Sequence, residues 1–167
     1  IKINKKDLIM CAKFRSGHFE GVLAVINQFL LKIKPNIMFL GEKDFQQIYL
    51  IKKFISGKFK TKIVQCKTIR NKNGLPYSSR NVLLNKKNFQ TAVNVSQIIK
   101  KFYSTLKLNF KKTKDIYLVK NKIINKNVKL EYLEIRNKLN LSKKINKKNF
   151  KIFIAYYING IRLIDNF

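Results

Sequence analysis

The sequence predicts an α/β chain in two parts, a parallel βαβ unit followed by a small α+β unit. Three observations predict it. Two short apolar runs, Ile37–Leu40 and Ile63–Cys66, flank one amphipathic stretch, Phe45–Ile55, which is the pattern of parallel strands joined by a right-handed helical crossover. Asn71-Lys72-Asn73-Gly74 then forms a turn signal and a boundary, dividing residues 1–69 from 70–167. Beyond it, one long helical pattern precedes several strand-like runs rich in Tyr, Phe and Ile, so antiparallel hairpins replace the crossover.

Each element has a local reason. Leu8–Cys11 is a short apolar run and reads as a strand. Arg15-Ser16-Gly17-His18-Phe19-Glu20-Gly21 is a polar loop with two glycines. A helix follows, because Val22, Val25, Ile26, Phe29, Leu30 and Ile33 recur at helical spacing. Lys32 and Lys34 suit its last turn and Pro35 stops it. The unbroken run Ile37–Leu40 suits a strand buried on both faces. Asp44 is a good N-cap for the helix Phe45–Ile55, whose Ile48, Ile51 and Ile55 share a face, and Ser56-Gly57 end it. In the second part a helix over Asn88–Leu106 offers Phe89, Ala92, Val93, Val95, Ile98, Ile99 and Phe102 to a core. Val128–Ile135, Phe150–Ile158 and Ile161–Ile164 read as strands, the last two joined by Asn159-Gly160.

Composition narrows the classes. With 46% hydrophobic and 12% aromatic residues in 167, the chain can build a packed core. No apolar run is long enough for a membrane span, and no signal-peptide core follows the basic start Ile1–Lys6. The two cysteines, Cys11 and Cys66, form no metal spacing and read as buried thiols of a reducing cytoplasm. His18 is the single histidine, so a multi-histidine metal site is excluded. The net charge of +29 suggests a basic nucleic-acid-binding protein as an alternative. Against it, the cations are 32 Lys and only 5 Arg, accompanied by 23 Ile and 19 Asn along the whole chain. Nucleic-acid recognition favours the arginine fork, whereas Lys, Asn and Ile are residues of A/T-rich codons. Salt-sensitive, non-specific sticking would follow from the field alone, without a specific nucleic-acid partner.

Three segments carry candidate chemistry. Gly41-Glu42-Lys43-Asp44-Phe45-Gln46-Gln47 lies where a predicted parallel strand ends and a helix begins, which is where ligands of such sheets bind. Glycine admits a ligand close to the backbone, the helix N-terminus attracts an anion, and Lys43 adds a point charge. A capped helix with an incidental lysine is an equally good reading of that pattern alone. Leu75-Pro76-Tyr77-Ser78-Ser79-Arg80-Asn81 combines hydroxyls and an arginine on a loop, which suits phosphates. Alone it reads better as a surface turn. Arg15 and His18 in the glycine loop are weak evidence by themselves.

In order along the chain, these segments resemble one family. Arg15-Ser16-Gly17-His18-Phe19-Glu20-Gly21-Val22 resembles RPGHFxGV, and Lys34-Pro35-Asn36 through Gln47 resembles xPDxxxFGEKDxQQ. Arg70 through Asn81 resembles RxxDGLAMSSRN, and Ala155 through Arg162-Leu163-Ile164-Asp165-Asn166 resembles A…RLIDN. The family is pantothenate synthetase, or pantoate–β-alanine ligase.

The resemblance implies the tail of a Rossmann-like nucleotidyltransferase domain followed by a small α+β C-terminal domain that closes over the nucleotide. It implies ATP with Mg2+, pantoate and β-alanine as small-molecule partners, a pantoyl-adenylate intermediate, a cytoplasmic location and a homodimer. Gly41, Glu42, Lys43 and Asp44 become nucleotide contacts, with Lys43 on the phosphates and Gln47 on pantoate. Ile69, Tyr77, Ser78, Ser79 and Arg80 become the second, mobile nucleotide loop, and Lys43 and Arg80 the catalytic cations. Arg15 and His18 fall near the acyl or amine side. Three departures stand out: Ser16 for proline, Asn73 for aspartate, and Pro76-Tyr77 for a small residue and methionine. The family's HxGH motif, with its catalytic histidine, does not occur in residues 1–167. The chain is therefore expected to represent the C-terminal portion of such a ligase and to be inactive alone, with a decayed, non-catalytic remnant as the alternative.

Overall fold

A computed structural model describes all residues, 1–167, and the chain divides into two compact units, Ile1–Thr68 and Ile69–Phe167. No helix is long and apolar enough to cross a membrane.

In the first unit, α1 (Cys11–Phe14) is one helical turn and α2 (His18–Ile33) leads into β1 (Ile37–Gly41). A 3-10 turn over Glu42–Asp44 connects β1 to α3 (Phe45–Ile55), and β2 (Lys62–Cys66) follows. β1 and β2 are parallel, with Ile37 opposite Lys62 and Gly41 opposite Cys66, so the predicted βαβ unit is present. Leu23, Leu30, Ile51 and Ile55 form its core, with Met38, Leu40 and Ile63 of the strands packed on it. Thr61 Oγ1 donates to the Pro35 carbonyl at 2.7 Å, tying together the starts of the two strands.

Four sequence expectations are corrected here. Leu8–Cys11 is not a strand: Leu8 and Ile9 are irregular, and Cys11 opens α1 after Met10, which is buried at φ 45°. β1 is not buried on both faces. Its residues alternate, and Phe39 is 65% exposed while Met38 and Leu40 pack on the helices. The face that α2 buries is rotated from the predicted one, because Phe19, Leu23 and Leu30 are buried while Val25, Phe29 and Ile33 are exposed. Cys66 is exposed, and only Cys11 is a buried thiol.

The second unit contains α4 (Lys86–Leu108), α5 (Ile116–Ile124) and the antiparallel sheet β3 (Lys129–Asn137), β4 (Phe150–Ile158) and β5 (Ile161–Asn166), with β4 central. Asn85 caps α4 by accepting from the Asn88 amide at 2.9 Å. Helices and sheet meet through Ile99, Leu106, Ile123, Leu133, Ile152 and Ile154, all essentially inaccessible. Phe150 lies 5.4 Å from both Tyr103 and Phe110, which closes one end of the core. The pairing slips between Leu130 and Tyr132, leaving Glu131 as an inserted residue. Its carboxylate accepts from the Tyr157 hydroxyl of β4 and the Arg162 guanidinium of β5, so this bulge ties all three strands together.

Candidate functional site

The predicted residues fall into one group in each unit. In the first, Gly41 ends β1, Glu42–Asp44 form the 3-10 turn, and α3 starts at Phe45. Gly41 has ordinary extended torsions, and a Cβ built there would meet nothing within 4 Å. Its contribution is open space above the strand end rather than an unusual turn. Asp44 does not act as the cap that its position suggested, since its side chain makes no capping bond to α3. The start of α3 is therefore not capped by its own N-cap side chain at the end where an anion would bind. Asp44 is exposed, and Glu42 and Lys43 are half-buried.

The two glutamines that follow have different tasks. Gln46 is buried, and its Nε2 donates to the carbonyls of Asp7 at 3.3 Å and Ile9 at 2.8 Å. It binds the N-terminal segment to α3, and Lys53 reinforces this by an ion pair to the buried Asp7. That bond is the chief reason the Lys53 ammonium is raised above its usual pKa. Gln47, the next residue, is half-buried. Only the fold separates the two, because they are adjacent in sequence and identical in chemistry. Arg15 and His18, at the start of α2, are both half-buried, with the His18 ring 5.0 Å from that of Phe19. Gly17 caps α2 in the left-handed region at φ 73°, where glycine is favoured.

In the second unit, residues 69–77 form a tight hairpin. Arg70 and Pro76 make an antiparallel bridge, the Tyr77 amide donates to Ile69, and the Asn71 amide donates to Leu75. Asn71 Oδ1 accepts from the amides of Asn73 and Leu75, both at 3.0 Å, and Gly74 takes φ 88°. Leu75 and Pro76 are buried, whereas Ile69 and Tyr77 are 75% and 64% exposed. Ser78 Oγ accepts from the Arg80 amide at 3.2 Å and starts a 3-10 turn over Ser79–Leu83. Ser79 and Arg80 are exposed, and Arg80 Nη1 donates to the Arg162 carbonyl of β5 at 3.2 Å.

Sequence reasoning missed what holds this hairpin. Arg70 makes a two-pronged ion pair with the buried Asp165 of β5, both bonds at 2.8 Å, across 95 positions of sequence. Both residues belonged to recognised motifs, but nothing local linked them. No group of three His, Cys, Asp or Glu is arranged to hold a metal ion.

Fold and residues together define an α/β protein whose first unit places Glu42–Asp44 just beyond the carboxyl end of a parallel strand. The whole chain, residues 1–167, matches the sequence model of the family described as pantoate-beta-alanine ligase. It is 39% identical over 160 residues to the pantothenate synthetase of Francisella tularensis subsp. mediasiatica, strain FSC147, covering 95% of this chain and 53% of that protein. Among solved structures, it resembles the pantoate-beta-alanine ligase of Francisella tularensis complexed with beta-gamma ATP and beta-alanine. The TM-score is 0.80 at 35% identity, covering 100% of this chain and 57% of that one. Pantothenate synthetase from Thermus thermophilus shares the fold, with a TM-score of 0.86 at 22% identity, covering 100% of this chain and 62% of that one. The chain belongs to the pantoate-β-alanine ligase family. It spans about half the length of the curated relatives it matches.

Proposed function

We propose that this chain carries part of the active site of an ATP-dependent ligase that condenses pantoate with β-alanine. In the first step a pantoate carboxylate oxygen attacks the α-phosphorus of ATP. The bond between the α-phosphorus and the bridging oxygen breaks, and pyrophosphate leaves. In the second step the β-alanine amine attacks the acyl carbon of pantoyl-adenylate. AMP leaves with the C–O bond electrons, the amine loses its proton, and pantothenate forms. The observation that carries this reading is the open strand end at Gly41, followed by Lys43 and the start of α3 that Asp44 leaves uncapped. It offers backbone amides, a helix dipole and a cation to a polyphosphate.

The roles follow from the motifs that this chain shares with the family. Gly41, Glu42 and Asp44 border the nucleotide, and Lys43 follows the phosphate charge as it moves to the leaving group. Gln47 orients pantoate, while Arg15 and His18 serve the acyl or amine side. In the second unit, Ile69 and Tyr77 border the nucleotide, the Ser78 and Ser79 hydroxyls bind phosphate oxygens, and Arg80 supplies a second cation. A magnesium ion would be held here mainly by the phosphates, because no group of three His, Cys, Asp or Glu is arranged to hold it. Such an ion would neutralise phosphate charge.

Calorimetric titration with ATP tests the reading in the natural polypeptide that carries residues 1–167. Lys43→Ala and Arg80→Ala should each weaken binding by roughly 1.5–3 kcal/mol, the range for hydrogen bonds to charged groups. Unchanged affinity in both variants would remove the assignment. Residues 1–167 by themselves should release no AMP that depends on both pantoate and β-alanine, because orientation supplies roughly 7–11 kcal/mol of such a barrier and the family's HxGH motif is absent from them.

A further inference from the structure

The hairpin at residues 69–77 is anchored more firmly than a surface loop requires. Arg70 uses both terminal nitrogens twice. Nη1 donates to Asp165 Oδ2 at 2.8 Å and to the Gly74 carbonyl at 2.9 Å. Nη2 donates to Asp165 Oδ1 at 2.8 Å and to the Asn166 carbonyl at 3.0 Å. Its guanidinium also lies 4.2 Å from the centre of the Phe167 ring. From the other side, Ser96 Oγ of α4 donates to the Gly74 carbonyl at 2.9 Å and lies 3.4 Å from Asp165 Oδ2. Asp165 and Ser96 are buried, and the two-pronged geometry fixes direction as well as distance. The turn carbonyl of Gly74 is thus held by β5 through Arg70 and by α4 through Ser96. Past Pro76 the long-range support is lighter: the exposed Arg80 donates from Nη1 to the Arg162 carbonyl of β5 at 3.2 Å. Asn81 Nδ2 returns to the Pro76 carbonyl at 3.0 Å, while Tyr77, Val82 and Leu83 are exposed.

We propose that Arg70, Asp165 and Ser96 are positioning residues that hold the 69–76 hairpin rigid, so that Ser78, Ser79 and Arg80 reach the ATP phosphates from a fixed base. Within this segment, only residues beyond Pro76 change conformation when nucleotide binds. This rests on the reading of Tyr77–Arg80 as a nucleotide loop and narrows the expectation that Ile69 and Tyr77–Arg80 form one mobile loop. None of the three positioning residues touches ATP.

The test uses the natural polypeptide that carries residues 1–167, with ATP as the probe. Asp165→Asn keeps the shape but removes the charge, Arg70→Lys keeps the charge but removes the fork, and Ser96→Ala is the mild variant. Ile123→Val thins the same core away from the cluster and controls for general loss of stability. Misplacement of a positioning base should weaken ATP binding by roughly tenfold to a hundredfold in Asp165→Asn and Arg70→Lys, and less in Ser96→Ala. Ile123→Val should bind as the parent does. Hydrogen exchange at the amides of Asn71, Gly74 and Leu75 should be slow in the parent with or without ATP and fast in Asp165→Asn. Within residues 69–83, only the amides of residues 77–83 should gain protection from ATP. Parent-like ATP affinity in a folded Asp165→Asn or Ser96→Ala with a loosened hairpin would overturn the positioning role alone. ATP-dependent protection of residues 71–75 in the parent would overturn the rigid base. Failure of the parent to bind ATP would overturn the nucleotide reading itself, and the positioning role with it.

Discussion

The two units solve the burial of a sheet in different ways, and the second does so more completely. In Ile69–Phe167 two helices cover a three-stranded antiparallel sheet around a continuous core, and the central strand has partners on both edges. In Ile1–Thr68 two helices cover one face of only two parallel strands. The opposite face presents Ile37 and Phe39, at 47% and 65% exposure. Antiparallel sheets tolerate one solvated face, whereas parallel sheets are found with both faces covered. Two strands are also too few for an independently stable sheet. The comparison teaches that the unit bearing Lys43 and Gln47 depends on further covering for its order, while the unit bearing Arg80 carries its own.

Separating the units gives the largest effect. Residues 69–167 should unfold in one cooperative thermal transition, and residues 1–68 should show none. A sharp transition in the first unit alone would break the comparison. The next largest effect comes from the buried ion pair: Asp165→Asn should destabilise the second unit by about 3–5 kcal/mol in urea unfolding, the range for breaking such a pair from one side. A cost below that of a surface change would mean that the pair is solvated.

Alkaline pH sharpens the contrast further. Burial, and next the charge of Asp165, push the Tyr156 phenol well above its usual pKa. A raised folded pKa means that this group's stability is intact below the unfolded pKa of about 10 and is lost as pH climbs above it. Lys53, raised chiefly by its bond to Asp7, acts in the same direction in the first unit. Tyr156→Phe should flatten the alkaline limb of a stability profile, and an unchanged limb would assign it elsewhere. The smaller changes come last. Ile123→Val in the closed core should cost about 0.5–1.5 kcal/mol. Phe39→Thr on the open face should stay within about 0.5 kcal/mol, as exposed substitutions do, while reducing aggregation. A large loss at Phe39 would show that its face is covered in solution.

Much of this was legible in the chain itself. Helical spacing identified α3 and α4, and runs rich in Tyr, Phe and Ile with Asn159-Gly160 identified β3 to β5. Gly41–Asp44 could be placed at a strand end for the same reason: backbone geometry responds to neighbours a few residues away, and those neighbours are written in order. α5 escaped, although Ile116, Val119 and Ile123 carry its pattern, because nine residues among lysines and asparagines give a weak signal. Other features depended on distant partners. The alternation of β1 followed from helices on one side only, and the division of labour between Gln46 and Gln47 from where the carbonyls of Asp7 and Ile9 lie. The partnership of Arg70 with Asp165 is decided by the meeting of a hairpin and the last strand. Sequence by itself determined the family, most of the elements and the residue types present at each candidate turn. Tertiary structure decided which of those side chains hold the fold, because burial and hydrogen bonding are properties of what packs nearby in space.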